Sequence, residues 1–459
     1  MASGRQKPND HLRALLGRTR WSHEGLARAV NNVGAEVGLV LSYDRTAVAH
    51  WLSGTCPRGE TPGLIAEALS RRLGRALTVA DIGLAPSPDP ATVPEPRQPG
   101  DPVAALLGLT HADADPTGHA RLRQTLYQLH ALAVPGWPQA ASQAWVEPGP
   151  QGGRGRIAAP HVDAAHRMAG ILAMADRGFG GGHARTALTA YLAHDITTWL
   201  RARASETTHH EMLGAATDLV LLAGFKSFDC EEHGLAQRYY LTALALAARG
   251  ADPIRYAIVL RAMSQQAHQL GHHEPGLELA GTALATTSGR AQPCTEASLH
   301  AQAAVCHAAL GQLQTALLHR DAAHRQLERA TGPLPVFGCY HAGELAYQTA
   351  CIRTFAGDTR AAIAALHIAL RHYPASERRS RVLTLAALAQ RQLDTGLLSV
   401  ACATTQRLVD DYPYLQSARA TTALTTLLQR LDSVRHLPAV QRLLHRTASL
   451  QVHRPGEAP

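Results

Sequence analysis

The chain has 459 residues, too many for one hydrophobic core, so two or three domains are expected. Hydrophobic residues make up 46% and aromatic ones only 5%, with Ala and Leu supplying most of the apolar share, which favours stacked helices over a β-sandwich. The formal net charge of +8 permits a polyanionic partner without requiring one.

The seven cysteines (Cys56, Cys230, Cys294, Cys306, Cys339, Cys351, Cys402) form no CxxC pair, which points to reduced thiols in a cytoplasm. The opening MASGRQKPNDHLR has no apolar signal core. No apolar run nears the ~18–20 residues needed to span a bilayer. The expectation is a soluble cytoplasmic protein with no membrane partner.

Residues 8–20 read as a first helix with Leu12, Leu15 and Leu16 on one side. Ser22 is a plausible N-cap for a second helix, although Gly25 stands where a capping box wants Glu. Leu26, Ala29, Val30 and Val33 give that helix its periodicity. Asp44 can cap a third helix over 44–53 by accepting from the free N–H groups that follow it. On this helix Arg45, Thr46, Ala47 and His50 are read as one polar face, Val48, Trp51 and Leu52 as a buried stripe, and Gly54 as the stop. A short helix with a polar, partly basic front and a Trp anchoring its back suits a DNA groove. Thr61–Leu73 reads as a fourth helix and Thr78–Ile82 as a short fifth. Four or five short helices in about 84 residues is the build of helix-turn-helix DNA-binding domains. Residues 1–84 carry 11 basic and 7 acidic side chains, whereas 85–150 carry 3 and 6, so the positive excess concentrates at the N-terminal end.

The pattern SHEGLARAVN…YDRTAVAHWLSGTCPRG…IAEALSRRLGRALTVADIGL is similar to the N-terminal domains of actinobacterial helix-turn-helix regulators that carry a tetratricopeptide-like C-terminal half. These govern development and secondary metabolism. The resemblance implies a lambda-repressor-like domain in which the helix ending in Trp–x–x–Gly is the recognition helix. It implies that Arg45, Thr46, Ala47 and His50 face bases, and that Arg58 and Arg28, with Arg71 and Arg72, meet phosphates. An Arg in the groove typically reads guanine through a bidentate pair, and a phosphate contact would weaken all sequences alike.

Residues 85–102 hold seven prolines and read as an extended, semi-rigid linker. From 103 to 210 a less regular helical region is expected: a helix over Arg121–Val134, a Gly/Pro-rich loop over Pro135–Pro160, a helix over His161–Arg177, the FGGGHAR turn at 179–185, and a helix over Ala184–Arg203. Gly153, Gly155 and Ala158 match GxGxxA, but no strand precedes them. Gly180–Gly182 could bind an anion through backbone N–H groups, or form a tight interhelical turn. FGGGHAR and LAQRYYLTALALA also recur in the family named above.

Beyond 211 the chain repeats. Gly271, Gly311, Gly357 and Gly396 align as turns between paired helices, at spacings of 40, 46 and 39 residues. Five residues after each stand Gly276, Ala316, Ala362 and Ala401, and twelve after stand Ala283, Ala323, Ala369 and Leu408. Pro374 and Pro413 follow the last two glycines by seventeen. Ala236 and Ala243 extend the pattern one unit earlier. Small residues at these offsets let two helices approach closely, the tetratricopeptide signature, here with units longer than the standard 34 or so. Such units stack into a superhelix with a concave surface. Residues 414–450 complete the array and 451–459 form a loose tail.

Of 26 histidines, His209–His210 and His272–His273 with His268 are the pairs that could hold a metal, but no Cys or carboxylate completes a set. No metal, cofactor or catalytic residue is expected, because GxSxG, HExxH, P-loop and kinase motifs are lacking. The expected fold class is all-α: a helix-turn-helix domain at 1–84, a linker, a helical region, and a tetratricopeptide-like α-solenoid at 211–450. The expected function is a sequence-specific DNA-binding transcriptional regulator, a repressor or pleiotropic regulator of differentiation and secondary metabolism. Its partners would be double-stranded DNA, a second copy of the chain, and a small-molecule or peptide effector in the repeat groove. The alternative is a non-DNA-binding protein–protein adaptor built on the repeats.

Overall fold

The structure is a computed structural model. It describes residues 8–36, 38–74, 77–84, 101–143, 155–331 and 340–448. The prolines at 86–99, residues 151–154 of the glycine-rich loop, Cys339 and the tail at 451–459 lie outside these residues. Every regular element described is helical, with one isolated bridge between Arg156 and Arg203. The chain is all-α. It divides into two compact units, one comprising Met1–Gly100, Asp115–Pro135 and His233–Leu235, the other the remainder.

The first unit is built from α1 (Asp10–Thr19), α2 (His23–Glu36), α3 (Arg45–Leu52) and α4 (Thr61–Leu73). Leu12, Leu16, Leu26, Val30, Val48, Trp51, Ile65 and Leu69 meet in its core, joined by Ile82 and Leu84. These are the i, i+3/i+4 positions of each helix, so one apolar stripe per helix is enough to close the unit. Thr78–Ile82 is a turn instead of a fifth helix, held by backbone bonds from Ile82 to Thr78, Gly83 to Ala80 and Leu84 to Val79 and by the Asp81 carboxylate accepting from Thr78. Asn9 fastens this turn to α1. Its Oδ1 caps the helix at Leu12, while Nδ2 donates to the carbonyls of Ile82 and Gly83 at 3.0 and 3.2 Å.

The segment expected as a helix over Arg121–Val134 is not one. Between α5 (Pro102–Ala114) and α7 (Trp137–Gln143), α6 (Pro116–Arg123) ends at a Gln124 C-cap, the chain runs extended, and Leu129–Leu132 makes one 3-10 turn. Tertiary contacts decide this: Leu126 enters the core of the first unit, and the Leu129 N–H donates to the buried Glu67 carboxylate at 3.1 Å. A continuous helix would lose that N–H to its own backbone.

The second unit contains α8 (Ala159–Phe179), α9 (Arg185–Tyr191), α10 (Thr197–Arg201), α11 (Glu206–Asp229) and, beyond its first turn, α12 (His233–Arg249). A π turn at Leu192–Ile196 joins α9 and α10, so the helix expected over 184–203 is continuous but irregular. Five hairpins follow: α13 (Pro253–Gln269) with α14 (His273–Thr287), α15 (Pro293–Ala309) with α16 (Leu313–Arg329), α17 (Ala342–Phe355) with α18 (Thr359–His372), α19 (Arg378–Asp394) with α20 (Leu398–Asp411), and α21 (Ala418–Asp432) with α22 (Pro438–Ala448). In the first four, Gly271, Gly311, Gly357 and Gly396 occupy the turn at φ between +75° and +84°, a conformation that strains any residue with a Cβ. The offset positions Ala316, Ala362 and Ala401, and Ala283, Ala323, Ala369 and Leu408, are fully buried where the helices of a pair meet. Gly276 takes the same place, where a Cβ would stand 3.3 Å from the Ser264 carbonyl. Helix α8 packs against α11 and against α19.

Candidate nucleic-acid interface

Helix α3 is held at both ends and along its back. Asp44 accepts from the N–H groups of Thr46 and Ala47, both at 2.9 Å. Those bonds, that of Ala47 foremost, hold its carboxyl below the usual carboxylate range. At the other end Gly54 adopts φ 102° and stops the helix. Trp51 and Leu52 lie in the core, and the Tyr43 ring stands edge-on to Trp51 with centroids 5.1 Å apart. Tyr43 is in turn clamped by the Asn31 amide of α2 and bonds Thr61 of α4 through its hydroxyl at 2.8 Å. The connection from α2 closes tightly: a Cβ on Gly34 would come within 2.3 Å of the Leu41 side chain.

This anchoring leaves Arg45, Thr46, Ala49 and His50 exposed. With the exposed N-terminal turn of α2, Arg45, Thr46 and Ala49 line an open depression whose other wall is Ser22, His23 and Glu24. Ser22 does cap α2, accepting from the Gly25 N–H at 3.1 Å without the reciprocal Glu of a capping box. One placement differs from expectation. Ala47 is half-buried and packs against the core, because it shares the side of Val48 and Trp51. The next-turn position on the outer face is Ala49, which the sequence spacing did not single out.

Arg28 on α2 and Arg58 beyond α3 are both exposed. Arg71 is committed elsewhere. It bonds Glu67 at 2.8 Å and grips the Glu36 carboxylate with both terminal nitrogens, at 2.5 and 2.8 Å. Burial pushes the Glu67 carboxyl up, with Arg71 opposing it. Arg72 lies over the Trp21 ring at 5.7 Å. These two arginines tie α4 to α2 and to the start of that helix, leaving Arg45, Arg58 and Arg28 as the cations presented outward from the predicted set.

The FGGGHAR turn in the second unit is a joint whose amides are already occupied. Gly180 N–H donates to the Asp176 carbonyl at 2.9 Å, Gly181 N–H to the Asp229 carboxylate at 2.8 Å, and Gly182 N–H to the Gln416 carbonyl at 2.8 Å. The anion these donors meet is the protein's own aspartate. Among the described residues no group of three His, Cys, Asp or Glu side chains could hold a metal. His268 pairs with His273, their Nδ1 atoms 3.2 Å apart. No described helix is long and apolar enough to cross a membrane.

A family model described as the SP15 N-terminal domain matches residues 12–85, the stretch that contains α1 to α4 and the turn after them. A search of curated proteins finds no match.

Proposed function

We propose that the chain is a sequence-specific DNA-binding transcriptional regulator whose first unit reads duplex DNA with α3. The observation that carries this reading is the outward face of α3, where Arg45, Thr46 and His50 stand exposed while Trp51 and the Asn31 clamp fix the helix from behind. A helix of this length, rigidly backed, can enter a major groove and set its N-terminal residues against base edges. Arg28 and Arg58 flank it as phosphate contacts that fix register without reading sequence. The exposed N-terminus of α2, capped by Ser22, offers further N–H groups to a phosphate.

The paired helices of the second unit form a tetratricopeptide-like array in this reading. The buried small residues at fixed offsets and the positive-φ turn glycines support it. We assign dimerisation and the sensing of an effector to this half. One α3 per chain covers too little DNA for tight selective binding, so two protomers would place two such helices on half-sites. Enzymatic activity has no place in this reading.

Fluorescence anisotropy of labelled duplex DNA with the full chain, titrated with salt, tests the proposal. Affinity should fall steeply and linearly in log–log form as counterions are rebound, and Arg28→Ala or Arg58→Ala should reduce the slope by about one each. No binding at low salt would leave the adaptor reading.

A further inference from the structure

Ten large apolar side chains stand exposed among the described residues, and four of them share one face of the second unit. Ile171 and Met174 of α8 are 57% and 64% exposed, Phe179 at the end of that helix 40%, and Tyr414 after α20 61%. Arg378, at the start of α19, joins the last two. Its guanidinium lies 5.8 Å from the Phe179 ring and 5.4 Å from that of Tyr414. Contiguous apolar surface edged by polar groups marks an interface in soluble proteins, and Phe, Tyr, Met and Arg are the residue types enriched there.

Helix α8 arranges its outer positions as a seam. Ala164, Arg167, Ile171 and Met174 are all exposed, at steps of three, four and three residues. That is the spacing that lets one helix run along another. The opposite side of α8 is already used: Val162, Ala165, Ala169 and Leu172 are buried, and the helix packs on α11 and α19. From Ala164 to Phe179 the seam runs roughly 22 Å at the helical rise. Its two ends differ in charge. The exposed Asp163 stands at the N-terminal end. Arg378 stands at the other, with the Asp411 carboxylate 4.0 Å away.

A second copy of this chain fits such a seam. Laid side by side in the same sense, two seams would set Arg167 against Arg167 and each charged end against its like. Turned antiparallel about a twofold axis, they lay Met174 of one protomer against Ala164 of its partner, and Ile171 against the methylene stem of Arg167. Large residues then meet small or flexible ones, and the acidic end of each seam lies towards the basic end of the other. Every contact is reciprocal, as a twofold interface requires. We propose that the protein dimerises through this face of the second unit, α8 against α8 in antiparallel sense, with Arg378 and Tyr414 extending the contact. The proposal rests on the reading above in which two protomers share one operator, and it names the surface that joins them.

Sedimentation equilibrium of the full chain without DNA, at micromolar concentration, tests it. The wild type should be a dimer. Ile171→Glu/Met174→Glu places four carboxylates in the paired seam and should weaken the dimer at least tenfold, with circular dichroism unchanged because both positions are exposed. If that variant loses helix, Ile171→Gln carries the comparison and should weaken the dimer in the same direction. Asp163→Arg and Arg378→Glu should each weaken association a few-fold, and the two combined should recover it, since charges at an interface rim set orientation more than affinity. A monomeric wild type, or a dimer as tight in the folded seam variants, overturns the proposal, and failure of the combined charge variant to recover overturns the antiparallel pairing. A chain that dimerises in this way yet binds no duplex keeps this face and removes the DNA reading. A monomer that binds duplex does the reverse.

Discussion

Asn31 grips Tyr43 at both of its backbone polar groups: its Nδ2 donates to the Tyr43 carbonyl at 2.9 Å, and its Oδ1 accepts from the Tyr43 N–H at 3.0 Å. The pair spans twelve residues and sets where the chain leaves α2 and enters α3. Asn31→Ala leaves two part-buried backbone groups without these partners and should lower stability by about 1–3 kcal/mol. Urea unfolding followed by tryptophan fluorescence checks this, and Asn31→Asp should be worse than wild type because it replaces the donor to Tyr43 with an acceptor.

Asp44 titrates lower in the folded chain than its ordinary 3.8, because the amides of Ala47 and Thr46 favour its charged form. A carboxyl depressed in this way adds stability above its unfolded pKa and loses it as pH falls through the folded value. The stability gap between wild type and Asp44→Ala should therefore be full at neutral pH and close progressively below about pH 4. Denaturant midpoints of both proteins at a series of pH values measure it. A gap that stays constant into strong acid would show that the cap bonds are not made by the carboxylate.

Local signals made some elements legible and tertiary contacts hid others. Asp44, Gly54 and the Leu/Val/Trp spacing were enough to place α3, because caps and helical period act within a few residues. Gly271, Gly311, Gly357 and Gly396 marked their turns because a positive φ leaves glycine as the natural choice. The region around Leu126 and Leu129 misled, since its helical pattern yields to the core of the first unit and to Glu67, 62 residues away from Leu129. Ala47, expected on the outer face, turns toward the core while Ala49 faces outward, because two residues along a helix differ by about 200°. Nothing local announces the Asp176–Arg379 pair, whose members are 203 residues apart.

The glycine run at 180–182 is a packing requirement. A Cβ on Gly181 would meet the Lys226 carbonyl at 2.5 Å and the Asp229 Cβ at 2.8 Å, backbone and short side chain that cannot yield. Gly181→Ala should destabilise the second unit by about 1–3 kcal/mol, the range for overpacking a close site. Gly281→Ala, on α14 with open space at the Cβ, should leave stability equal or slightly raised by the helix preference for Ala. Differential scanning calorimetry of the two variants beside wild type separates these outcomes.

His268 and His319 are both pushed down to about 4, chiefly by burial and further by neighbouring imidazoles, His273 for the first and His300 and His307 for the second. Between the ordinary value of 6.5 and about 4 the unfolded chain takes up protons that the folded chain refuses. Stability should fall with pH across that window and level off below it. The double variant His268→Gln/His319→Gln should flatten this part of the pH–Tm curve, whereas an unchanged slope would place the titration elsewhere.

Selection of duplexes from a random library by the full chain at low salt addresses the DNA-reading face of α3 most directly. The account predicts enrichment of a defined sequence, with loss of that enrichment in Arg45→Ala/His50→Ala while circular dichroism and salt-dependent background binding are retained. Failure of the wild-type chain to enrich any sequence, or identical enrichment by the double variant, would contradict it.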